Sequence, residues 1–132
     1  MPGKVADASA LAAVAFGEPE TVLIEPLLGY ELLYEPRLLV FEMTNTALKK
    51  VRRAPEKEDA FRRALAGAMG RNIEWIDVAT DGLFRLAGQT GLSAYDASYL
   101  LVAQTVGTPL VTLDLRLAAA ARSIGIQTEG AT

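Results

Sequence analysis

The stretch that decides the fold is GLSAYDASYLLVAQTVGTPLVTLD, residues 91–114. Ser93 is a typical helix N-cap, and the mostly apolar residues after it continue to Gly107, so the pattern predicts a helix over residues 93–106. The run LVTL predicts a strand over residues 110–113. The chain therefore crosses the domain once as a helix and returns directly as a strand.

Two aspartates lie near the ends of this stretch, Asp96 at the start of the predicted helix and Asp114 directly after the predicted strand. A helix that runs antiparallel to the next strand begins at the edge of the sheet where that strand ends. We therefore expect both carboxylates at the carboxyl edge of a parallel sheet, where ligands bind in α/β proteins. Each also has a simpler explanation, because Asp114 fits an N-cap and Ser93-x-x-Asp96 resembles a capping box.

The rest of the chain alternates between helical and extended patterns in the same way. Apolar runs predict strands over residues 5–7, 73–78 and 126–128, and a further extended piece over 30–34. Helical spacing, prolines and glycines predict helices over residues 8–16, 19–28, 37–53, 56–69, 80–87 and 115–124. The alternation favours an α/β fold with a mostly parallel sheet, and 132 residues without a linker or repeat suit a single domain over residues 1–132.

The composition removes several classes of chemistry. The chain has no cysteine, which excludes disulfides and thiolate metal sites and fits an intracellular location. It has no histidine, which excludes catalytic triads, imidazole bases and most zinc sites. Catalysis would have to use carboxylates, lysine, hydroxyl groups or a hard cation.

The charge balance is mildly acidic, with a net charge of -3 and a pI of about 5.0. A protein that coats nucleic acid is usually basic. A metal-dependent nuclease need not be, because bound cations neutralise its acidic cluster. No apolar run approaches the roughly 20 residues of a transmembrane helix, so we expect no membrane association.

Two further acids could be either structural residues or members of a functional site. Asp7 follows a predicted strand and precedes a helix, which alone favours an N-cap. Glu42 lies in the middle of a mostly apolar helix, with Asn45 and Thr46 on the same face, and this polar group slightly favours a site.

A cluster of these carboxylates is costly, so either some of the acids stay protonated or a divalent cation binds. Two unit charges about 4 Å apart repel by roughly 4 kcal/mol at an effective dielectric constant of 20. Ligands that offer only oxygen select hard ions such as Mg²⁺ or Mn²⁺. In a chain without histidine, metal-activated water is the most economical nucleophile.

Four short motifs, in order along the chain, carry a resemblance to a known family. They are Asp7-Ala-Ser9, Glu42-Met-Thr-Asn45, Tyr95-Asp96-Ala97-Ser-Tyr99 and Thr112-Leu-Asp114. In order and spacing they resemble the PIN-domain family, especially the VapC-type toxins of toxin–antitoxin pairs, over essentially the whole chain.

The resemblance implies a PIN-like three-layer α/β/α fold and a ribonuclease that depends on Mg²⁺ or Mn²⁺. It also implies a cytoplasmic protein that forms homodimers and binds a small antitoxin that fills its groove. The acidic quartet would be Asp7, Glu42, Asp96 and Asp114, and the residues that support it by hydrogen bonds would be Ser9, Asn45 and Thr112. Leu117 occupies a position where related nucleases carry a further acid, which leaves the number of bound ions open.

Basic residues offer candidate contacts to RNA phosphates. Seven of the thirteen lie in residues 49–63, among them Lys49 and Arg53, and Arg116 follows Asp114 by two positions. Acidic residues are interspersed among the seven, which slightly favours solvated helix faces for most of them, and a surface role explains Arg116 equally well.

Two other functions remain open at this point. The chain could be a PIN-fold binding or scaffold module without activity, its acids acting as helix caps. It could also be a metal-dependent nuclease acting on DNA, or a phosphatase, because the residues named do not discriminate between substrates.

Overall fold

A computed structural model describes residues 3–29 and 31–131 of the chain. Its strands are β1 (Val5–Ala6), β2 (Leu33–Glu35), β3 (Ile73–Trp75), β4 (Leu110–Thr112) and β5 (Thr128–Gly130). Its helices are α1 (Ala8–Ala15), α2 (Thr21–Leu28), α3 (Leu38–Arg53), α4 (Glu58–Met69), α5 (Thr80–Thr90), α6 (Ala94–Val106) and α7 (Leu115–Ser123), with a 3₁₀ turn at Pro55–Lys57.

Every strand pairing observed in these residues is parallel. β1 pairs with β4 and β4 with β5, while β2 pairs with β3. A parallel bridge between Lys4 and Leu33 joins the two groups, so the strand order across the molecule is β3-β2-β1-β4-β5. The predicted α/β class with a parallel sheet is confirmed.

The strand order divides the helices into two layers. The chain moves outward from β1 through β2 to β3, then returns to the other side of β1 for β4 and β5. Right-handed crossovers therefore place α1–α4 on one face and α5–α7 on the other. The contacts agree, because α1 packs against α2, α3 and α4, whereas α5 packs against α6. The predicted three-layer α/β/α arrangement is confirmed.

Burial explains why such short strands are stable. Both faces of β1 and β4 are covered by helices, and Val5, Ala6, Leu110 and Val111 are completely buried. α6 crosses the middle of the sheet and contacts β1, β2 and β4. Its N-terminus therefore lies beside the carboxyl ends of the central strands.

Most predicted elements lie within two residues of the observed ones, but the helix predicted over residues 80–87 is longer than expected. Gly88 was predicted to end it, whereas α5 continues to Thr90 and ends at Gly91, which has a φ of 74°. A glycine costs about 1 kcal/mol inside a helix, and the packing of Leu86 against the core keeps α5 helical past that point.

Four smaller points concern element ends. β3 ends three residues before the predicted end of its strand at residue 78. α2 begins at Thr21, two residues after the predicted start at Pro19. The final strand lies at Thr128–Gly130 rather than 126–128, because the Ile126 N–H donates to the end of α7. Tyr30, at the start of the predicted extended piece, lies outside the described residues. No helix in the described part is both long and apolar enough to cross a membrane.

Candidate active site

The candidate site lies where the sheet changes direction. β1 has β2 on one side and β4 on the other, and the helices after β1 and before β4 leave on opposite faces. Such a switch point opens a crevice at the carboxyl ends of the strands. Asp7 directly follows β1, and Asp114 follows β4 by two residues. Both aspartates are therefore at the expected edge.

Asp7 is the buried member of the group, with a relative exposure of 6%. Its Oδ1 accepts hydrogen bonds from Ser9 Oγ at 2.7 Å and from the Ala10 N–H at 3.1 Å, and its Oδ2 accepts one from Thr112 Oγ1 at 2.7 Å. Burial raises the pKa of Asp7 to about 6, against the three hydrogen bonds that lower it, and the charge of Asp114 raises it further. The Ala10 contact confirms the N-cap interpretation.

Two hydroxyl groups connect Asp7 to the loop that carries Asp114. Ser9 Oγ accepts a hydrogen bond from the Leu113 N–H at 3.0 Å, and Thr112 Oγ1 accepts one from the Asp114 N–H at 3.0 Å. Both hydroxyls also donate to the Asp7 carboxylate. A displacement of the segment after β1 or of the segment after β4 would therefore change the hydrogen bonds of Asp7.

Asp114 is an N-cap and is also exposed at the crevice. Its Oδ1 accepts hydrogen bonds from the N–H groups of Arg116 and Leu117 at 2.9 and 3.1 Å. Oδ2 accepts none from the described residues. The cap interpretation is correct, and it uses only one of the two carboxylate oxygens.

Asp96 forms only half of the expected capping box. Ser93 Oγ accepts a hydrogen bond from the Asp96 N–H at 3.1 Å, but the Asp96 carboxylate accepts none from any residue that the structure describes. Partial burial raises the pKa of Asp96, the charge of Asp114 raises it further, and Arg116 lowers it. The Asp96 carboxylate is thus close enough to Asp114 to be affected by its charge, and both of its oxygens are available to a ligand.

Glu42 is joined to the group through a buried tyrosine. The Tyr99 hydroxyl on α6 donates a short hydrogen bond of 2.5 Å to Glu42 Oε1 on α3. Burial, the hydrogen bond to Glu42 and the negative charges of Glu42, Glu35 and Asp7 raise the pKa of Tyr99, so its phenol stays neutral. Tyr99 therefore separates Glu42 from Asp7 and orients the glutamate from the interior side.

The polar neighbours predicted on α3 make different contacts. Asn45 is exposed and its side chain makes no hydrogen bond with a described residue, so its supporting role stays a prediction. The residue lies beside Glu42 in a surface hollow. Thr46 donates to the backbone carbonyl of Glu42 at 3.0 Å, as helical spacing allows.

Glu35 was missed by the sequence analysis and is the most deeply buried acid. It ends β2, is completely buried, and accepts a hydrogen bond from the Ala6 N–H on Oε2 at 2.8 Å, while Oε1 has no partner within the described part of the chain. Burial raises the pKa of Glu35 well above its usual value, with a smaller contribution from the charge of Asp7. The signal in the sequence was a glutamate inside an otherwise apolar run, LLYEP, directly before a proline.

The carboxylates lie around the carboxyl edge of the sheet but do not form a complete set of metal ligands. Among the described residues, no three acidic side chains lie close enough together to make a ready group of metal ligands. Asp114 nevertheless raises the pKa of both Asp7 and Asp96, so the three share one electrostatic environment. Oxygen donors that repel one another, two of them with free oxygens, fit a hard divalent cation in their chemistry.

The predicted phosphate contacts occupy two places. Arg116 is exposed beside Asp96 and donates to the carbonyl of Gly91 at 3.2 Å. Lys49 and Arg53 are exposed near the end of α3, and neither forms an ion pair with a described residue. Spacings of four residues put Asn45, Lys49 and Arg53 on one face of that helix.

Comparison with known proteins agrees with this geometry. A family model described as PIN domain matches residues 4–123. Ribonuclease VapC3 of Pyrobaculum aerophilum is 31% identical over 120 residues, which cover 86% of this chain and 91% of that protein.

Solved structures show the same fold. PAE2754 from Pyrobaculum aerophilum has a TM-score of 0.73 and 28% identity, over 96% of this chain and 83% of that one. VapC20 of Mycobacterium tuberculosis, described as a Sarcin-Ricin loop cleaving toxin, has a TM-score of 0.63 and 16% identity, over 89% and 94% of the two chains. VapBC2 from Rickettsia felis, solved bound to a promoter DNA fragment, has a TM-score of 0.62 and 15% identity, over 96% and 97%.

Proposed function

Because this chain belongs to the PIN domain family, we propose that it is a metal-dependent endoribonuclease and the toxin of a toxin–antitoxin pair. The observation that carries the proposal is the shared electrostatics of Asp7, Asp96 and Asp114 at the switch point of the sheet. The name of the relative, Ribonuclease VapC3, supports RNA as the substrate. The site of action would be the cytoplasm.

The proposed metal ligands are Asp7, Glu42, Asp96 and Asp114. These residues would hold Mg²⁺ or Mn²⁺, which would supply a water of lowered pKa and a positive charge beside a phosphate. Asp96 and Asp114 face the crevice with free oxygens, and Asp7 supports them from the buried side. A bound cation would offset the repulsion from Asp114, which adds to the effect of burial on the pKa values of Asp7 and Asp96.

The remaining residues orient the reactants. Ser9 and Thr112 fix both oxygens of Asp7, which sets the direction of its carboxylate. Tyr99 holds Glu42 by Oε1 and leaves Oε2 without a hydrogen bond from the described residues. Glu42 Oε2 can therefore accept a proton from the attacking water. Arg116, beside Asp96, can contact the phosphate.

The proposed protein partners are a cognate antitoxin and a second copy of the chain. Large apolar side chains are exposed on several helices, including Val22 and Leu23 on α2 and Leu48 on α3. Exposed apolar surface of this kind is typical of interaction sites. One of the structural neighbours is described as VapBC2, which supports an antitoxin as one partner.

A thermal melt with increasing Mn²⁺ tests the proposal, on the parent protein and on Asp96→Asn. A ligand at about 100 times its Kd stabilises the folded state by roughly 2.7 kcal/mol. We expect a clear rise in Tm for the parent, a much smaller rise for Asp96→Asn, and loss of RNA cleavage in that variant. Asp81→Asn is the matched control, because Asp81 also lies in the first turn of a helix but its exposed carboxylate pairs with Arg85.

One observation favours the scaffold alternative. Asp7 and Asp114 already serve as helix caps, and no three acids form a ready metal site in the described residues. If neither protein gains stability from Mn²⁺ and neither cleaves RNA, the acids are caps and the chain is a binding module. Cleavage of DNA but not RNA by the parent would instead identify a deoxyribonuclease.

A further inference from the structure

An open hollow of about 570 Å³ adjoins the carboxylates and is lined by Leu38, Phe41, Glu42, Asn45 and Tyr95. Its two aromatic rings are unusually exposed, with relative exposures of 67% for Phe41 and 66% for Tyr95. Two exposed aromatic rings beside one hollow form an apolar patch, and such a patch is typical of a binding site. We propose that Phe41 and Tyr95 form a binding site for an unpaired nucleobase of the RNA substrate, which rests on the proposed function.

The position of the rings relative to the acids supports a base next to the reacting phosphate. Phe41 directly precedes Glu42 on α3, and Tyr95 directly precedes Asp96 on α6. Each ring therefore stands one residue from a proposed metal ligand. A phosphate held at the carboxylates would bring the nucleotide on one side of it to this hollow.

The polar groups of the hollow suit the edge of a base. Asn45 offers an amide with both donor and acceptor atoms, and it has no hydrogen bond with a described residue. Aromatic side chains stack on the face of any unpaired base, while amide and carboxylate groups contact its edge. A base within a duplex is stacked on its neighbours and exposes no face for such stacking. The hollow therefore favours single-stranded RNA or a loop.

The surroundings favour nucleic acid over a protein segment. Asn45, Lys49 and Arg53 follow one another along one face of α3, leading away from the hollow. Lys49, Arg52 and Arg53 are exposed and none forms an ion pair with a described residue. Such a line of positive charge at the end of an aromatic site matches the phosphates of a bound strand.

A second groove, of about 490 Å³, shares Leu38 and Tyr95 with the hollow, so Tyr95 forms a wall between the two. Arg37 lines this groove and lies over the ring of Trp75, with its guanidinium carbon 5.9 Å from the ring centroid. Arg37 Nε also lies 3.8 Å from the carboxylate of Asp77, which lines the same groove. A strand that passes Tyr95 would thus meet a cation that is already paired with an acid. This continuity extends the proposed path of the RNA on the other side of the ring.

The test uses an oligouridine with one internal 2-aminopurine, whose fluorescence falls when the base stacks. It is added to the Asp96→Asn protein with Mg²⁺, so that binding is measured without cleavage. We expect Phe41→Ala and Tyr95→Ala in this background each to weaken binding about 10-fold or more and to reverse the quenching. Phe84→Ala is the matched control, because Phe84 is 80% exposed on α5 and lines neither hollow.

The second measurement is the kinetics of RNA cleavage by the same ring variants without the Asp96→Asn substitution. Ring removal should raise KM with little change in kcat, and Tyr95→Leu should resemble Tyr95→Ala, because stacking needs the ring rather than apolar area. Thermal melts should be unchanged, since both rings are exposed. A duplex carrying the same base should compete poorly.

Several results would overturn the inference. Unchanged RNA affinity and quenching in both ring variants would do so, as would equal binding of a duplex. If Phe41→Ala and Tyr95→Ala turn a dimer into a monomer and leave RNA binding intact, the face belongs to a second copy of the chain. Ring-dependent binding without any cleavage by the parent would contradict the ribonuclease proposal alone, whereas cleavage with a ring-independent KM would contradict the base site alone.

Discussion

The Glu35 carboxylate accepts a hydrogen bond from the backbone N–H of Ala6, at 2.8 Å, in the place of a sheet hydrogen bond. β1 and β2 are joined by backbone hydrogen bonds only at Lys4, which donates to Leu32 and accepts from Tyr34. The next N–H of β1 that faces β2 is that of Ala6, and the glutamate side chain is its partner. Glu35 therefore holds the peptide that precedes Asp7.

This arrangement predicts an unusual pH dependence for Glu35→Gln. Burial raises the pKa of Glu35 in the folded protein, so its contribution to stability is complete below the unfolded pKa and is lost as the pH rises through the folded pKa. Glutamine cannot ionise but can still accept from Ala6. We expect the free energy of unfolding of the variant to rise relative to that of the parent between pH 4 and pH 8. The rise should be about 1.4 kcal/mol for each pH unit that lies between the unfolded and the folded pKa of Glu35.

Urea unfolding of both proteins at pH 4, 6 and 8 measures this difference. Glu35→Leu serves as the control, because it removes the acceptor at every pH and leaves the Ala6 N–H without a partner. It should be less stable than Glu35→Gln throughout. A constant difference between the parent and Glu35→Gln at all three pH values would show that Glu35 does not change its ionisation on folding.

The raised pKa of Asp7 predicts that Mn²⁺ binds better as the pH rises. Burial raises this pKa to about 6, so below pH 6 a cation must displace a proton from the folded protein. We expect the affinity for Mn²⁺ to be about 10-fold weaker at pH 5 than at pH 7, from this one proton. Calorimetric titration at the two pH values measures it, and Asp7→Asn should remove the proton released on binding. An affinity that is equal at both pH values would show that binding does not displace a proton from Asp7.

The sequence predicted the parts of the site that depend on local order and missed those that depend on contacts across the sheet. Asp7 and Asp114 follow apolar strands, and a parallel sheet brings such positions to one edge, which the structure shows. Glu35 was not predicted, because its burial follows from the divergence of β1 and β2. The hydrogen bond between Tyr99 and Glu42 joins residues that are 57 positions apart on two helices, so no local pattern in the sequence indicates it.

The one helix whose end was predicted wrongly provides a further test. Gly88 is exposed inside α5, and a Cβ added there would meet nothing within 4 Å. Gly88→Ala should therefore stabilise the protein by about 0.5–1 kcal/mol. Gly91→Ala, at a φ of +74°, should destabilise it by roughly 1–2 kcal/mol. Urea unfolding compares them, and a harmless Gly91→Ala beside a destabilising Gly88→Ala would place the helix end at Gly88.

Thr112→Val tests the hydroxyl network that orients Asp7. The variant keeps the shape of the side chain but removes the donor to Asp7 Oδ2 and the acceptor for the Asp114 N–H. We expect a loss of about 1–3 kcal/mol in the free energy of unfolding, with a larger loss at pH 8 than at pH 5, because the lost hydrogen bond stabilises the ionised form of Asp7. The pKa of Asp7 should rise above about 6, and half-maximal Mn²⁺ binding should move to higher pH.

Thr108→Val is the matched control for Thr112→Val. Thr108 is equally a buried threonine, but its hydroxyl has no hydrogen-bond partner among the described residues. Replacing that hydroxyl by a methyl group should be neutral or stabilising, because no interaction is lost and a buried polar atom is removed. Equal effects of the two substitutions would mean that the hydrogen bonds of Thr112 do not stabilise the Asp7 carboxylate. A loss confined to Thr112→Val, together with the shift in Mn²⁺ binding, would show that they do.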